Sequence, residues 1–581
     1  MSNSPKGNDP KQNPPRQKKE LSMEQRMLIA FGLMALVLLI TPYLLPTRPD
    51  GKAQKREAQK VAQVIKPEVA GDPQDRPAAD AAPAPQAAPI RAEAEEVLTV
   101  ETDVYRIQFS NRGAVVRSWR LKKYEDSFGE PVELVNLKAV EKTGYPMKLL
   151  GSDRQPLEDL NNALYAWRQP DEYSVEFEYS DGNIVSRKGF RFKKDSYLST
   201  IESELLKAGV ATPHYLVWRG GFGDMTVFGS ASHQQTLYYD AARAKLETRS
   251  ASDAKEGPVS DRGEYTFAGV QDAYFAAVVL PDTGRSLELL TLSDRVANGL
   301  DEKEQDYVGV GFGGEARLRS TLFVGPKDLH LLRRVSPKLE QLVDFGWFAF
   351  LAKPLFLVLK WLNDNYVRNY GWSIIVITVV INFLLLPLKI SSLKSMKKMQ
   401  ALQPQIKALN EKYKGLSLRD PRKAQQNQEM MELYKKHGVN PLGGCMPMLL
   451  QIPFLFAFYK VLTVAIELRG ADWLWVTDLS RPETLSLRVL PIAMVASQFV
   501  LQKMTPSTTM DPAQQRIMML MPLMFGFMFY GVSSGLVLYW LTGNLVAIVQ
   551  QLMFNKLYHG KPVEVPASTA ERKAAAKRVR K

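Results

Sequence analysis

At 581 residues the chain is too long for one ordinary core, and with Cys445 as its single cysteine an intramolecular disulfide framework is excluded. The formal net charge of +14 points away from DNA, because Lys and Arg concentrate beside apolar runs, where membrane topology and anionic phospholipid explain them. Apolar runs long enough to span cluster after residue 370, with one more near the N-terminus, so the chain reads as a multi-domain membrane protein with a large extramembrane domain.

Residues 1–26 are polar and basic, a cytoplasmic N-terminus, and 27–46 carry an uncharged run that reads as a retained transmembrane anchor. A cleaved signal peptide is the competing reading. The run is longer than a usual h-region, and Thr41 to Pro46 lacks a small-x-small cleavage pattern. The stretch 47–96, rich in Ala, Pro, Gln, Lys and Asp, cannot bury enough apolar surface to fold and serves as a disordered linker.

From 97 to 330 the periodicity changes to two. Val175, Phe177 and Tyr179 alternate with Glu176 and Glu178 before an Asp181-Gly182 turn, which predicts a hairpin with Ile184 to Phe192. Further strand-like runs at 197–205, 273–280, 287–292 and 316–324 predict a mostly antiparallel β domain of two packed sheets. Trp119, Trp167 and Trp218 are either core residues or the platform of a carbohydrate-binding module. His214, His233, His330, His437 and His559 lack ligand spacing, and no phosphate loop, Gly-x-Ser-x-Gly or zinc motif occurs. No catalytic residue, metal or cofactor is expected, and the chain is not read as an enzyme.

Residues 337–363 place Leu339, Leu342, Val343, Trp347 and Phe348 at helical spacing and then turn almost wholly apolar, with Lys353, Pro354 and Lys360 interrupting; they predict an interfacial amphipathic helix, a span being the alternative. The first core span is 371–388, with Ser373, Thr378 and Asn382. A strongly basic segment, 389–440, follows and predicts a cytoplasmic helical hairpin broken at Gly415 to Pro421. Its Lys394, Lys397, Lys398, Lys435 and Lys436 make either a solvated coiled-coil face or a docking arm for a cytosolic partner. The remaining spans are 445–466, 489–504, 517–531 and 535–554, with an external loop at 467–488 and a basic cytoplasmic tail at 555–581. The short run 517–531 implies thinned lipid or protein cover.

Lys460 stands inside the second core span, where a charge costs roughly 2.5–3.5 kcal/mol on insertion scales. It either marks a polar partner or wet surface, or snorkels to the headgroups past Glu467. At ~1.5 Å per residue its depth differs from that of Asn382 by only several Å, so the two are expected in one cavity, lined also by Thr378, Gln498 and Trp540.

Asn440-Pro441-Leu442-Gly443-Gly444-Cys445, Gln451-Ile452-Pro453, Glu467-Leu468-Arg469, Gln502-Lys503-Met504, Asp511-Pro512, Gln514-Gln515 and Ser534-Gly535-Leu536-Val537-Leu538-Tyr539-Trp540 resemble the YidC-type membrane protein insertases of Gram-negative bacteria. Phe109-Ser110-Asn111-Arg112-Gly113 extends the resemblance to the β domain. It implies an inner-membrane protein with a periplasmic β-supersandwich, a five-helix insertase core after the N-terminal anchor, and a hydrophilic groove that receives nascent membrane-protein substrates. Implied partners are the Sec translocon, phospholipid and, through the basic tail, the ribosome. In that family an arginine usually stands where this chain has Asn382, so Lys460 is the expected substitute charge and Trp540 the expected substrate-contacting aromatic. A small-solute transporter or channel is the rival class, against which no inverted repeat or pair of broken spans is found.

Overall fold

The computed structural model describes residues 89–227, 230–282, 286–297, 304–416, 420–439, 446–504 and 512–557, with the backbone alone for 446–450 and 512–519. The N-terminal segment, the anchor 27–46, nearly all of the linker, Asn440 to Cys445, the turn at 505–511 and the tail from 558 lie outside the described residues.

The hairpin read from alternation forms as Ser174–Ser180 against Ile184–Arg191, with Val175 opposite Phe190. Gly182 takes a φ of +94°, and Asp181 Oδ1 accepts from the Ile184 amide at 2.6 Å, so side chain and backbone both close the turn. This hairpin belongs to a fourteen-stranded antiparallel sheet. A second sheet of four strands, β1 (Val97–Glu101), β2 (Tyr105–Ser110), β3 (Val115–Glu125) and β4 (Pro131–Glu133), packs on it. Phe109 of β2 meets Phe190 and Phe177 across the layers, with ring centroids 4.9 and 6.0 Å apart. The thirteen-residue strand Val259–Gln271 pairs with Ser286–Ala297 through its first half and with Gln235–Asp240 and Phe275–Leu280 through its second. One long strand thereby ties the two halves of the large sheet, which gives the supersandwich its closed core.

Trp119 and Trp218 are core residues, 6.0 Å apart and fully enclosed. Trp167 is partly exposed and donates its indole N–H to Glu96 at 2.9 Å. The charged cleft beside it is compensated from within, Arg191 bridging Glu176 and Glu202 and Arg187 bridging Glu178 and Glu204.

The β domain leads into α1 (Leu329–Val335), whose Asp328 cap accepts from the Leu331 amide at 2.7 Å, and then α2 (Ala349–Leu362). Ala352, Leu355, Phe356 and Leu359 of α2 face the protein, while Trp347, Phe350, Val358 and Trp361 face outward. A π-turn at Asn363–Val367 and Arg368 at φ +54° separate α2 from α3 (Tyr370–Leu384), and the two helices meet at 117°.

The run expected as a span over 371–388 is α3 followed, after Leu385 alone, by α4 (Leu386–Ala401). Pro387 sits in the first turn of α4, where its missing N–H has no helical acceptor to lose. α5 (Gln403–Lys412) and α6 (Arg422–His437) form the hairpin, joined by Lys412–Glu429 at 2.9 Å, Gln426–Asn410 at 2.8 Å and a small core of Met399, Leu402, Ile406, Tyr434 and Val439. Lys394, Lys435 and Lys436 are exposed. α7 (Met446–Val464), α8 (Val489–Met504), α9 (Pro512–Phe529) and α10 (Ser534–Leu557) complete the helical core, with α10 packed between α3 and α8.

Among the described residues α10 alone is long and apolar enough to cross a membrane unaided; Gln451–Val464, Val489–Met504 and Leu520–Phe529 are shorter apolar helices. A helix stands at each of the five runs expected as core spans, and the five are unequal in length. At ~1.5 Å per residue the 16 residues of α8 cover about 24 Å, less than a ~30 Å hydrocarbon core.

Lys188 is among the enclosed ionisable groups of the β domain. Lys188 Nζ donates to the carbonyls of Gly113, Ala114 and Met147 at 2.7, 3.2 and 2.7 Å and lies 5.8 Å from the Tyr165 ring centre. Burial, with Lys148 adding to it, pushes this amine down to about 7. An unfolded lysine titrates near ~10.4, so between about pH 7 and 10 the unfolded chain binds a proton that the folded one lacks, and stability rises with pH. Pulse proteolysis of the full chain in a urea series should show the β domain more resistant at pH 9 than at pH 7. Lys188→Met should shrink that rise, leaving the part due to Lys327, whose amine burial pushes down to about 8.

Candidate functional site

The polarity of the helical core is inverted relative to a water-soluble bundle. α3 buries Ser373, Thr378 and Asn382 and exposes Trp372, Val376, Val380, Phe383 and Leu384. α10 buries Thr542, Asn544, Gln550 and Gln551 and exposes Leu545, Val549, Leu552 and Met553. An apolar surround accounts for this, since polar groups there find partners only inside the protein.

At the C-terminal end of α3 these groups converge. Asn382 Nδ2 donates to the Thr378 carbonyl at 2.8 Å, which leaves Oδ1 to accept from Lys389 Nζ at 2.6 Å. Lys389 also donates to Gln550 Oε1 at 3.3 Å, and Gln550 Nε2 donates to the Asn382 carbonyl at 3.2 Å. Asn382 and Lys389 are seven residues apart on nearly continuous helices, hence on one face and about 10 Å apart along the axis, a gap the lysine stem covers. Thr378 spends its hydroxyl on the Ile374 carbonyl at 2.6 Å.

Gln498 and Trp540 meet each other elsewhere in the bundle. The Trp540 indole N–H donates to Gln498 Oε1 at 3.4 Å, and its ring packs on Phe529 and Phe525 with centroids 5.2 and 5.7 Å away. One helical turn on, Asn544 Nδ2 donates to Ser497 Oγ at 3.0 Å. On the next face of α10, Tyr539 stacks on Phe458 at 4.1 Å and accepts from Gln451 Nε2 at 3.4 Å. At the far end of α10 a small cleft is lined by Met396, Lys397, Gln400, Met504, Gln551 and Phe554, with the Lys397 ammonium 5.4 Å from the Phe554 ring centre.

Lys460 does not join Asn382. It lies near the outer end of α7 against Gly346, ahead of α2: a Cβ added to Gly346 would stand 3.0 Å from Lys460 Cε and 3.5 Å from Nζ. Its charge acts on His233 and Lys327 of the β domain, the direction of the snorkelling alternative, while the contacts of Asn382 are with Thr378, Lys389 and Gln550. The groups that do meet Asn382, Lys389 and Gln550, were missed because Lys389 counted only as the first of a basic run. The seven-residue spacing to Asn382 was the available signal. No His, Cys, Asp or Glu cluster among the described residues could hold a metal ion.

Removing one partner of this cluster is costlier than removing both. Asn382→Leu strips the ammonium of its nearer acceptor and should lower stability by about 1.5–3 kcal/mol, whereas Asn382→Leu combined with Lys389→Met should regain most of it, read as unfolding midpoints in mixed micelles.

Two family models divide the chain: "YidC periplasmic domain" matches residues 97–358 and "60Kd inner membrane protein" matches 361–561. The membrane protein insertase YidC of Geotalea daltonii is 35% identical over 92% of this chain and 99% of its own length. The YidC insertase of Syntrophus aciditrophicus is 34% identical over 92% of this chain and 100% of its own. A crystal structure of an active YidC insertase with its first transmembrane domain resolved covers 79% of this chain and 93% of that chain, with 18% identity and a TM-score of 0.34. With identity at this level over nearly the whole length of both chains, the chain belongs to the family of YidC membrane protein insertases.

Proposed function

We propose that the chain receives nascent membrane-protein segments along the polar side of α3, α8 and α10 and releases them sideways into lipid. The observation that carries this reading is the Lys389 ammonium held by Asn382 and Gln550 on the polar inner face of a bundle whose outer face is apolar. The family resemblance expects an arginine at position 382. Lys389 supplies a positive charge to that same residue from two turns further along, and Lys460 is not required for it.

The mechanism follows from solvation. A hydrophilic segment crossing a bilayer meets its barrier in the hydrocarbon, where each unsatisfied polar group costs several kcal/mol. Helices shorter than the hydrocarbon core thin the lipid beside them, and amides at successive depths, Gln550, Asn544 and Gln498, offer partners along the way. An acidic residue of the incoming segment is drawn to Lys389. The apolar part of the substrate then leaves for lipid, driven by roughly 25 cal/mol per Å² of buried apolar surface. No nucleotide enters this scheme.

In the proposed topology both termini are cytoplasmic and the β domain is periplasmic. The 117° elbow after α2, with Trp347 and Trp361 turned outward, favours α2 at the outer headgroups, in contact with phospholipid. The hairpin α5–α6 offers its exposed lysines to the cytosol, and the tail at 555–581 is the proposed ribosome contact. A role beside the Sec translocon is assigned to the β domain by the resemblance.

The test is insertion of a single-span substrate with an acidic translocated segment, in inverted membrane vesicles. Lys389→Gln should lower it about tenfold, the equivalent of ~1.4 kcal/mol, and Lys460→Ala should leave it within about twofold. Photo-crosslinkers at 389, 498 and 540 should capture the stalled chain while one at the outward-facing 380 does not. Loss of insertion on Lys460→Ala with none on Lys389→Gln would return the charge to Lys460, and no adduct at any position would favour the transporter reading.

A further inference from the structure

The outer loop after α7 enters the β domain through one arginine. Arg469 is ion-paired with Asp224, the two side chains being only 4% and 2% exposed. Its guanidinium also donates to the Glu125 carbonyl at 2.7 Å and lies 5.3 Å from the ring centres of both Tyr274 and Phe275. Asp224 is itself held in place: its amide donates to Asp272 Oδ2 at 3.0 Å, and its Oδ1 accepts from the amide and hydroxyl of Thr226 at 2.8 and 2.6 Å. Gly223 stands at φ +99°, and a Cβ there would fall 2.0 Å from Asp272 Oδ2, so only glycine lets the chain approach so closely.

The same loop starts α10. The Ser534 and Gly535 amides, two of the donors a helix N-terminus leaves over, donate to the carbonyls of Arg481 and Leu479 at 2.6 and 2.9 Å. The Leu479 amide in turn donates to the Ala471 carbonyl at 2.9 Å, and Arg481 approaches Asp224 at 3.8 Å. A chain of bonded groups thus runs from Asp224 through Arg469 and Arg481 to the first turn of α10. A buried ion pair of this kind does not slide: breaking it strands a charge away from water, so it holds one geometry or fails.

We propose that Arg469 is a positioning residue: paired with Asp224, it registers the outer loop against the β domain and thereby sets where α10 begins and at what depth Trp540 and Asn544 lie. The importance of that depth rests on the groove reading above; the positioning itself does not.

The test is amide hydrogen exchange on the full-length chain in lipid nanodiscs. Arg469→Gln and Asp224→Asn should each speed exchange of the 535–539 amides about tenfold while strand Ile184–Arg191 stays unchanged. Arg469→Lys, which keeps the charge opposite Asp224, should recover the α10 protection to within about threefold. Lys360→Met breaks the neighbouring 2.9 Å ion pair to Glu467 but not the path to α10, and should leave those amides within about twofold. Unchanged α10 exchange in Asp224→Asn, or an equal rise in Lys360→Met, overturns the proposal. Raised α10 exchange with normal insertion upholds the positioning and removes Trp540 from the groove instead.

Discussion

The helical core is governed by one constraint: a polar atom surrounded by hydrocarbon must find its partner within the protein. Several residues on the buried faces of α3, α8 and α10 obey it directly. Asn382 divides its amide between its own helix and Lys389, Gln550 does the same between Lys389 and the Asn382 backbone, and Asn544 takes Ser497. Such a face is a set of internal bonds at rest. In the proposed function the same groups exchange those bonds for equivalent ones from a passing chain, because an amide loses little when one good acceptor replaces another.

The two domains are not independent bodies. Leu339, Leu342, Val343 and Phe345 carry an unbroken apolar core from the β domain to Ile374, Leu462 and Tyr539 of the helices. At that seam Arg469 pairs with Asp224 across it, and Lys360 of α2, paired with Glu467 of the loop after α7, approaches Asp328 of the β domain at 3.7 Å. Apolar contact supplies the adhesion and the ion pairs supply the register, since apolar surfaces tolerate small shifts and buried charges do not.

Much of this was legible from residues alone where the signal is local. The alternation around Asp181-Gly182, the span-like runs and the hairpin breaker at Gly415 each depend on neighbours a few positions away. The strand Glu304–Glu315 was not anticipated, because Val308, Val310 and Phe312 alternate with glycines, which read as breaks. In the fold a Cβ on Gly309 or Gly311 would come within 3.1–3.2 Å of Leu292 and Leu290 Cβ, so their bareness lets the adjacent strand's side chains lie close. The destination of Lys460 was illegible for another reason. A four-carbon stem near a helix end reaches inward or outward with equal ease, and the choice was made by Gly346, more than a hundred residues earlier in the chain. Lys389 was hidden by its company: among a dozen basic residues that declare topology, nothing local distinguishes the one that turns back into the bundle.

The elbow between α2 and α3 has a mechanical meaning. In the proposed topology α2 lies flat, and Phe350, 75% exposed, with Trp347, 86% exposed just ahead of the helix, acts as a float: aromatic rings favour the water–lipid boundary and resist being pushed either way. In that topology the 117° bend acts as a bracket that hangs α3 below the float. When the surrounding membrane thickens or thins, the bracket keeps its angle, so the lipid tails under the short helices take up the difference. Acyl-chain length thus becomes a control on the local dimple, and with it on the length of hydrocarbon that any passing segment must traverse.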